Sequence, residues 1–304
     1  MNKKPVLAVF YGLPASGKTA LVDQLVRDML ISNEDCHRAP CFPCVIRYDD
    51  VMSLKEQEQM SMCSGITKYV RQQFLSAAEA LIAWVLGQPH AGDGNSLWPA
   101  LSCNVVRPAD PRERPVFLVD DNLYYRSMRH EWFSIAQKMS LCFCQVFVEC
   151  PLEEAVKRNA ARVSCVPETV IRRMASLLEP PGNRYWEKAC ITLCSFSAPL
   201  GSSHPSLLRD ILECPEASHT PTGSSMSADP SLLHLWDLAL RRAVTKAMKS
   251  LPKDASVALE LCHVRHQILA WARSEGSSLS PPPDVDEVVR LLQVHTVMPC
   301  KLNL

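Results

Sequence analysis

Short apolar runs recur along the first half of the chain, each ending at a glycine or at acidic residues. Val6–Tyr11 is followed by Gly12, and Val45–Tyr48 and Val116–Val119 are each followed by two aspartates. A fourth run covers Leu141–Val148. Continuous apolar runs of this length are typical of strands that are buried on both faces. We therefore predict four strands in a sheet that is covered on both sides.

The segments between these runs carry apolar positions at helical spacing. They predict helices over Lys18–Met29, Ile66–Val85 and Met128–Met139. Pro151 opens a further helix, since proline is tolerated in the first turn. Alternating strands and helices predict an α/β fold, a three-layer parallel sheet with helices on both faces.

The pattern changes beyond residue 194. Residues 195–230 are rich in serine, proline, glycine and threonine around an apolar island at Leu207–Leu212, which predicts a linker or surface excursion. Apolar stripes over Leu233–Leu251 and Val257–Trp271 then predict an antiparallel helical pair. The predicted division is a sheet domain, a linker and a smaller helical domain, over residues 1–194, 195–230 and 231–304.

The motif GLPASGKT follows the first predicted strand and opens the first predicted helix. It fits GxxxxGK[ST] at every fixed position and has the strand–turn–helix context that a phosphate-binding loop (P-loop) requires. The glycines let the backbone approach phosphate oxygens, and the amides and helix N-terminus point at the anion. We expect Lys18 to reach the β- and γ-phosphates of ATP and Thr19 to bind Mg²⁺. The predicted nucleotide-binding residues are Gly12, Leu13, Pro14, Ala15, Ser16, Gly17, Lys18 and Thr19.

Acidic residues follow two predicted strands, at the sheet edge where ligands gather in α/β proteins. Asp49 or Asp50 can accept the proton of an attacking hydroxyl, although an acidic turn or helix cap has the same sequence pattern. Asp120 follows a hydrophobic strand and is the expected magnesium-side carboxylate, with a solvated turn as the alternative.

Arg158 and Arg162 lie four residues apart in the helix predicted after the fourth strand, a spacing that places both guanidinium groups on one face. Arginines that close over ATP stabilise charge on the transferring phosphoryl group. The alternative is a solvated helix face that pairs with Glu153 or Glu154. Arg129 is a further candidate for substrate contact. The arginine pair, and the lack of an Asn-Lys-x-Asp guanine-reading motif, favour an ATP-dependent phosphotransferase over a signalling GTPase.

Charge and cysteine content narrow the classes of function. The 304 residues have a formal net charge of zero, which excludes a strongly basic nucleic-acid wrapper but allows a local basic patch. The apolar run Val6–Phe10 is too short to span a membrane and lacks a cleavage site, so we expect a cytoplasmic protein with reduced thiols and no membrane partner. Cys41 and Cys44 have CxxC spacing, but no second pair follows to complete a zinc site.

Several stretches resemble the L-seryl-tRNA(Sec) kinase family, in the family's order. They are GLPASGKT, the YDDVM segment, FLVDDNLYYRSMR, and the stretch from FCQVFVECPLEEAVKRNAAR to VPETVIRRM. The resemblance implies a P-loop kinase domain followed by a helical domain that grips tRNA. It further implies that ATP phosphorylates the serine of seryl-tRNA(Sec), and that a downstream synthase converts O-phosphoseryl-tRNA(Sec) to selenocysteinyl-tRNA.

The resemblance also assigns roles to residues. Asp49 matches the family's catalytic aspartate, and Arg158 with Arg162 match its Arg-x-x-x-Arg lid motif. Archaeal relatives place an arginine at the position of Met52, so either another cation, such as Arg47 or Arg129, supplies that charge or Asp50 is the base. The implied catalytic residues are Asp49, Lys18, Arg158 and Arg162, and the magnesium ligands are Thr19 and Asp120.

Two other functions stay open. Small-molecule, nucleoside or polynucleotide kinases share this lid and differ only in their acceptor. A sister family contains ATPases that act as partners of a tRNA wobble-modification complex. Residues 231–304 hold nine basic and seven acidic residues, a weak balance for an RNA-binding module. Basic residues nevertheless cluster on one predicted helix face, which either contacts phosphates or is simply solvated: Arg241, Arg242, Lys246, Lys249 and Lys253.

Overall fold

Parallel strands form the centre of the fold. The structure is a computed structural model that describes residues 4–33, 40–53, 56, 64–103, 105–110, 112–194, 204–217, 232–250, 255–275 and 279–290. Five strands pair in the order β2-β3-β1-β4-β5, and every pairing is parallel. Their bounds are β1 (Val6–Tyr11), β2 (Cys41–Arg47), β3 (Arg114–Asp120), β4 (Cys142–Glu149) and β5 (Cys190–Cys194).

Helices connect the strands and continue beyond them. Their bounds are α1 (Lys18–Ser32), α2 (Ser64–Val85), α3 (Trp98–Ser102), α4 (Arg126–Lys138), α5 (Leu152–Ala160), α6 (Glu168–Leu177), α7 (Pro205–Leu212), α8 (Leu232–Ser250) and α9 (Ala255–Ser274). Among the described residues, every helix is too short or too polar to cross a membrane.

Both faces of β1 are fully buried, which explains its unbroken apolar sequence. Leu7, Val9 and Tyr11 share a core with α2 and α4. Val6 and Phe10, on the other face, share a second core with α1 and α7. Alternating side chains of one strand therefore supply both cores. The predicted three-layer α/β fold is confirmed.

Two elements were not predicted from the sequence. β5 pairs with β4 at the sheet edge and is only partly buried, so it lacks a long apolar run. Residues 204–217 were predicted as part of a linker, but they instead include α7, whose Leu207 and Ile211 are buried in the sheet core. The backbone of Glu216 also forms an isolated antiparallel β-bridge with Cys142 at the start of β4. The rest of the predicted linker, 195–203 and 218–230, lies outside the described residues.

The chain divides into two compact units. The first comprises Met1–Ile171 and Leu178–Ser225 and contains the sheet, and the second comprises Arg172–Leu177 and Met226–Leu304. In the second unit, Trp236 near the start of α8 lies edge-on to Trp271 near the end of α9, with ring centroids 5.6 Å apart. This contact confirms that the two helices are antiparallel.

Candidate active site

The P-loop joins β1 to α1 and has the backbone geometry that its glycines permit. Gly12 has a φ of 149°, and a Cβ there would lie 2.5 Å from the Val148 carbonyl oxygen. Gly17 caps α1 in the left-handed region with a φ of 105°. Ser16 is fully buried, and its hydroxyl has no hydrogen-bond partner within the described part of the chain. Such a loop, with a buried hydroxyl left over, fits phosphate oxygens.

Lys18 lies at the centre of this loop and is almost completely buried. Its ammonium nitrogen donates to the Leu13 carbonyl at 2.7 Å, the Asn122 side-chain oxygen at 3.0 Å and the Gly12 carbonyl at 3.2 Å. Burial lowers the pKa of Lys18, and the neighbouring Asp120 carboxylate opposes that shift. Sequence reasoning missed Asn122; the signal available was a polar residue directly after the acids that end β3.

The predicted acids lie at the carboxyl ends of neighbouring strands. Asp120 is buried at the end of β3. Its Oδ2 lies 3.4 Å from Nε of Arg47, which is its register partner on the neighbouring strand β2. Asp49 and Asp50 are exposed in a 3₁₀ turn that follows β2. Burial lowers the pKa of Lys18, and the Asp49 carboxylate is one of the charges that oppose this shift. The structure therefore brings Asp49, Asp120 and Lys18 to one edge of the sheet.

Of the two predicted lid arginines, Arg158 contacts the P-loop. Arg158, on α5, donates from Nε to Glu154 at 2.8 Å and from Nη1 to the Ser16 carbonyl at 3.5 Å. Arg162 is exposed, and its positive charge lowers the pKa of Lys18. The prediction that both arginines lie on one helix is wrong, because α5 ends at Ala160 and Arg162 lies in the following loop.

The prediction that Arg129 contacts substrate is wrong as well. Arg129 is fully buried beneath the sheet edge. Its guanidinium donates to the Gln145 side-chain oxygen at 3.1 Å and to the Leu123 and Glu179 carbonyls at 3.0 and 3.1 Å. It also lies 4.2 Å from the centroid of the Tyr11 ring. Burial lowers its pKa. Arg129 is therefore a structural cation.

Arg129→Ala is expected to lower the free energy of unfolding by about 3–5 kcal/mol, since it leaves the fully buried Glu187 carboxylate, 3.7 Å away, with less compensating charge. Denaturant unfolding measures the change. Arg112→Ala removes an exposed arginine that pairs with Asp110 and should leave stability nearly unchanged. Equal, small effects of both substitutions would contradict a structural role for Arg129.

The neighbourhood of Met52 shows which cations lie near the acids. Met52 is buried, and its sulfur accepts a hydrogen bond from the Tyr48 hydroxyl at 3.5 Å. The Arg71 guanidinium, from α2, lies 5.9 Å from the centroid of the Tyr48 ring and donates to Asp121 at 3.0 Å. Arg47 also lies at this edge. Arg71 was not found from the sequence, because its position on a helix gives no sign of the carboxylate it pairs with.

The oxygen ligands available at the sheet edge fit Mg²⁺. Thr19 is exposed in the first turn of α1, and Asp120 offers a carboxylate at the end of β3. Hydroxyl and carboxylate oxygens are the ligands that Mg²⁺ prefers. Cys41 and Cys44 do not form a second metal site, because they pack against opposite faces of the sheet. Burial raises the pKa of the Cys44 thiol to about 12, so it stays protonated.

Known proteins with a similar sequence identify the family. The chain is 30% identical to the L-seryl-tRNA(Sec) kinase of Mus musculus, over 86% of this chain and 81% of the mouse protein. The chain belongs to the L-seryl-tRNA(Sec) kinase family. The Homo sapiens L-seryl-tRNA(Sec) kinase is 29% identical over 91% of this chain and 86% of the human protein. The Methanococcus maripaludis L-seryl-tRNA(Sec) kinase is 32% identical over 25% of this chain and 30% of the archaeal protein.

Two family models also match this member of the L-seryl-tRNA(Sec) kinase family. A model described as an AAA domain covers residues 7–181, which include the P-loop and the lid arginines. A model described as chromatin associated protein KTI12 covers residues 112–261. The resemblance predicted from the sequence is confirmed, and the chain is an ATP-dependent phosphotransferase of the P-loop type.

Two solved structures show partial similarity to this chain. A gluconokinase from Sinorhizobium meliloti 1021 is 18% identical, with a TM-score of 0.37 over 69% of this chain and 91% of the gluconokinase. Chaetomium thermophilum Kti12, in complex with ADP-AlF3, is 17% identical, with a TM-score of 0.41 over 68% of this chain and 95% of Kti12.

Proposed function

We propose that this chain transfers the γ-phosphate of ATP to the serine hydroxyl of seryl-tRNA(Sec), giving O-phosphoseryl-tRNA(Sec) and ADP. One observation carries the reaction type: Lys18 lies in a P-loop at the edge of the sheet where the strand-end carboxylates lie, and Arg158 contacts that loop. Membership of the family supports the acceptor. The product would then pass to a synthase that forms selenocysteinyl-tRNA.

Each group in the site has a task in this reaction. The P-loop amides and Lys18 would hold the β- and γ-phosphates, and Asp49 would accept the proton of the serine hydroxyl. Arg158 and Arg162 would stabilise the negative charge on the phosphoryl group during transfer.

Thr19 and Asp120 would hold Mg²⁺. The ion supplies positive charge to phosphate oxygens when it is bound. Arg47, which contacts Asp120, holds that carboxylate at the sheet edge.

The acceptor is tested with two aminoacylated tRNAs. The purified chain, given ATP labelled in the γ-phosphate, should label seryl-tRNA(Sec) about tenfold or more above seryl-tRNA(Ser). The two substrates carry the same serine, so the difference in labelling measures recognition of the RNA. Release of the label as phosphoserine identifies the reaction. Equal labelling of the two tRNAs, or labelling of neither, would contradict the proposal.

A second function has a specific observation in its favour. The match of residues 112–261 to the KTI12 model supports an ATPase that assists a tRNA wobble-modification complex. That function predicts tRNA-stimulated release of inorganic phosphate without phosphoserine in the same assay. The third function, a kinase with another acceptor, predicts transfer of labelled phosphate to a member of a panel of small-molecule, nucleoside and polynucleotide acceptors.

We propose that the helical region 231–304 contacts the tRNA, with Arg242 and Lys246 as exposed phosphate ligands on α8. The predicted basic face is partly neutralised, since Lys246 pairs with Asp286 and Arg241 donates to the buried Asp237. The other members of that face, the Lys249 side chain and Lys253, lie outside the described residues.

A further inference from the structure

The loop between α5 and α6 is closed by one buried side chain, Asn159. Its amide nitrogen donates to the Val166 carbonyl at 2.8 Å, and its amide oxygen accepts from the Val166 backbone nitrogen at 3.0 Å. Asn159 is 5% exposed, so both bonds are shielded from water. The pair of bonds joins the last turn of α5 to the residue just before Pro167, which caps α6.

The loop that these bonds close contains Arg162. The Arg162 backbone nitrogen donates to the Asn159 carbonyl at 3.1 Å, and the Cys165 thiol donates to the same carbonyl at 3.1 Å. Residues 161–165 are all exposed, and Val163 at the tip packs against nothing that shields it from solvent. The loop lacks an apolar core of its own, so hydrogen bonds fix its path, and most of these bonds are to Asn159.

We infer that Asn159 is a positioning residue that holds the loop between α5 and α6, and with it Arg162, in one conformation. The inference rests on the proposed phosphoryl transfer, in which Arg162 stabilises charge on the moving group. An exposed arginine on an unconstrained loop loses conformational entropy when it engages phosphate, and prior closure of the loop removes much of that cost.

Arg158 provides an internal contrast, because its position does not depend on the loop. It is part of α5 and contacts Glu154 and the Ser16 carbonyl directly. Loss of the Asn159 amide should therefore disturb Arg162 and leave Arg158 in place. This difference separates a positioning role from a general loss of structure.

Limited trypsin digestion measures closure of the loop without ATP or an acceptor. Asn159→Ala is expected to speed cleavage at the Arg162–Val163 bond about tenfold, with the cut identified by mass, since local opening frees the backbone of the exposed loop to enter the protease site. Asn159→Asp keeps the size of the side chain but replaces the amide donor with a carboxylate oxygen, which repels the Val166 carbonyl. This substitution should therefore also speed cleavage. Ser164→Ala, in the same exposed loop, is the matched control and should be cleaved like the wild type. Equal cleavage of all four proteins would overturn the inference.

A double-mutant cycle tests whether closure acts through Arg162. Asn159→Ala should lower kcat about tenfold with little change in the KM for ATP. Added to Arg162→Ala, it should cause no further loss, whereas its effect should multiply with that of Arg158→Ala. Multiplication with both arginine substitutions would overturn the positioning role.

The labelling assay tests the proposed function, whereas trypsin digestion tests the role of Asn159, so failure of one can be distinguished from failure of the other. A wild-type protein that labels no acceptor would contradict the seryl-tRNA(Sec) assignment, and the cycle would then be measured on ATP hydrolysis. The trypsin result is independent of the acceptor in either case.

Discussion

Lys18→Ala is expected to reduce phosphoryl transfer by more than about 10³-fold. The lysine places a positive charge in a loop that is shielded from water, where charge interacts strongly with phosphate oxygens. Three acceptors fix its ammonium group, one of them the Asn122 side chain. Alanine removes both the charge and the group that links the P-loop to the end of β3. Initial rates with labelled ATP measure the loss.

Two further variants separate charge from geometry. Lys18→Arg keeps the charge but brings a larger, planar group into a nearly filled space, so it should be almost as inactive as alanine. Lys138→Ala removes an exposed lysine that pairs with Glu79 on the surface, and it should transfer phosphate at the wild-type rate. A Lys18→Ala protein that retained more than about a tenth of the activity would contradict the assigned phosphate contact.

The core of the fold could be predicted because its sequence signals are local. The strand β1 is apolar along its whole length, and β3 and β4 each contain an apolar run. The P-loop needs glycine at two positions whose φ angles other residues rarely adopt. β5 and α7 escaped prediction for a physical reason. An edge strand is covered on fewer sides, and the short helix α7 gains its stability from contacts with α1 and β4 that are distant in sequence.

The residues of the candidate site also differ in whether their signals are local in sequence. The positions of Asp49 and Asp120 at the ends of β2 and β3 could be predicted from the sequence, because each follows an apolar run. Residues that act through a partner on another element could not be predicted in this way: Asn122 reaches back to Lys18, and Arg71 crosses from α2 to Asp121. Arg129 was misjudged because an arginine is usually exposed, whereas here the loop after β3, together with Glu179 and Gln145, satisfies its donors inside the core.

The catalytic base can be identified by comparing two neighbouring aspartates. Asp49→Asn is expected to lower kcat by about 10²–10⁴-fold while the KM for ATP changes little, because a base acts on the hydroxyl during the reaction and hardly in nucleotide binding. Asparagine keeps the size of the side chain and loses only its ability to take the proton. Asp50→Asn is the matched control in the same exposed turn and should keep most of the activity. Initial-rate kinetics with seryl-tRNA(Sec) decide between them.

Each alternative outcome of this comparison has its own meaning. If Asp50→Asn is the crippled variant, the base is Asp50, and the influence of Asp49 on Lys18 is electrostatic only. If both variants retain activity, neither carboxylate of this turn is individually required to take the proton. If Asp49→Asn instead raises the KM for ATP in proportion to its loss of kcat/KM, Asp49 contributes to nucleotide binding. Only a loss confined to kcat fits a group that acts as the serine oxygen approaches phosphorus.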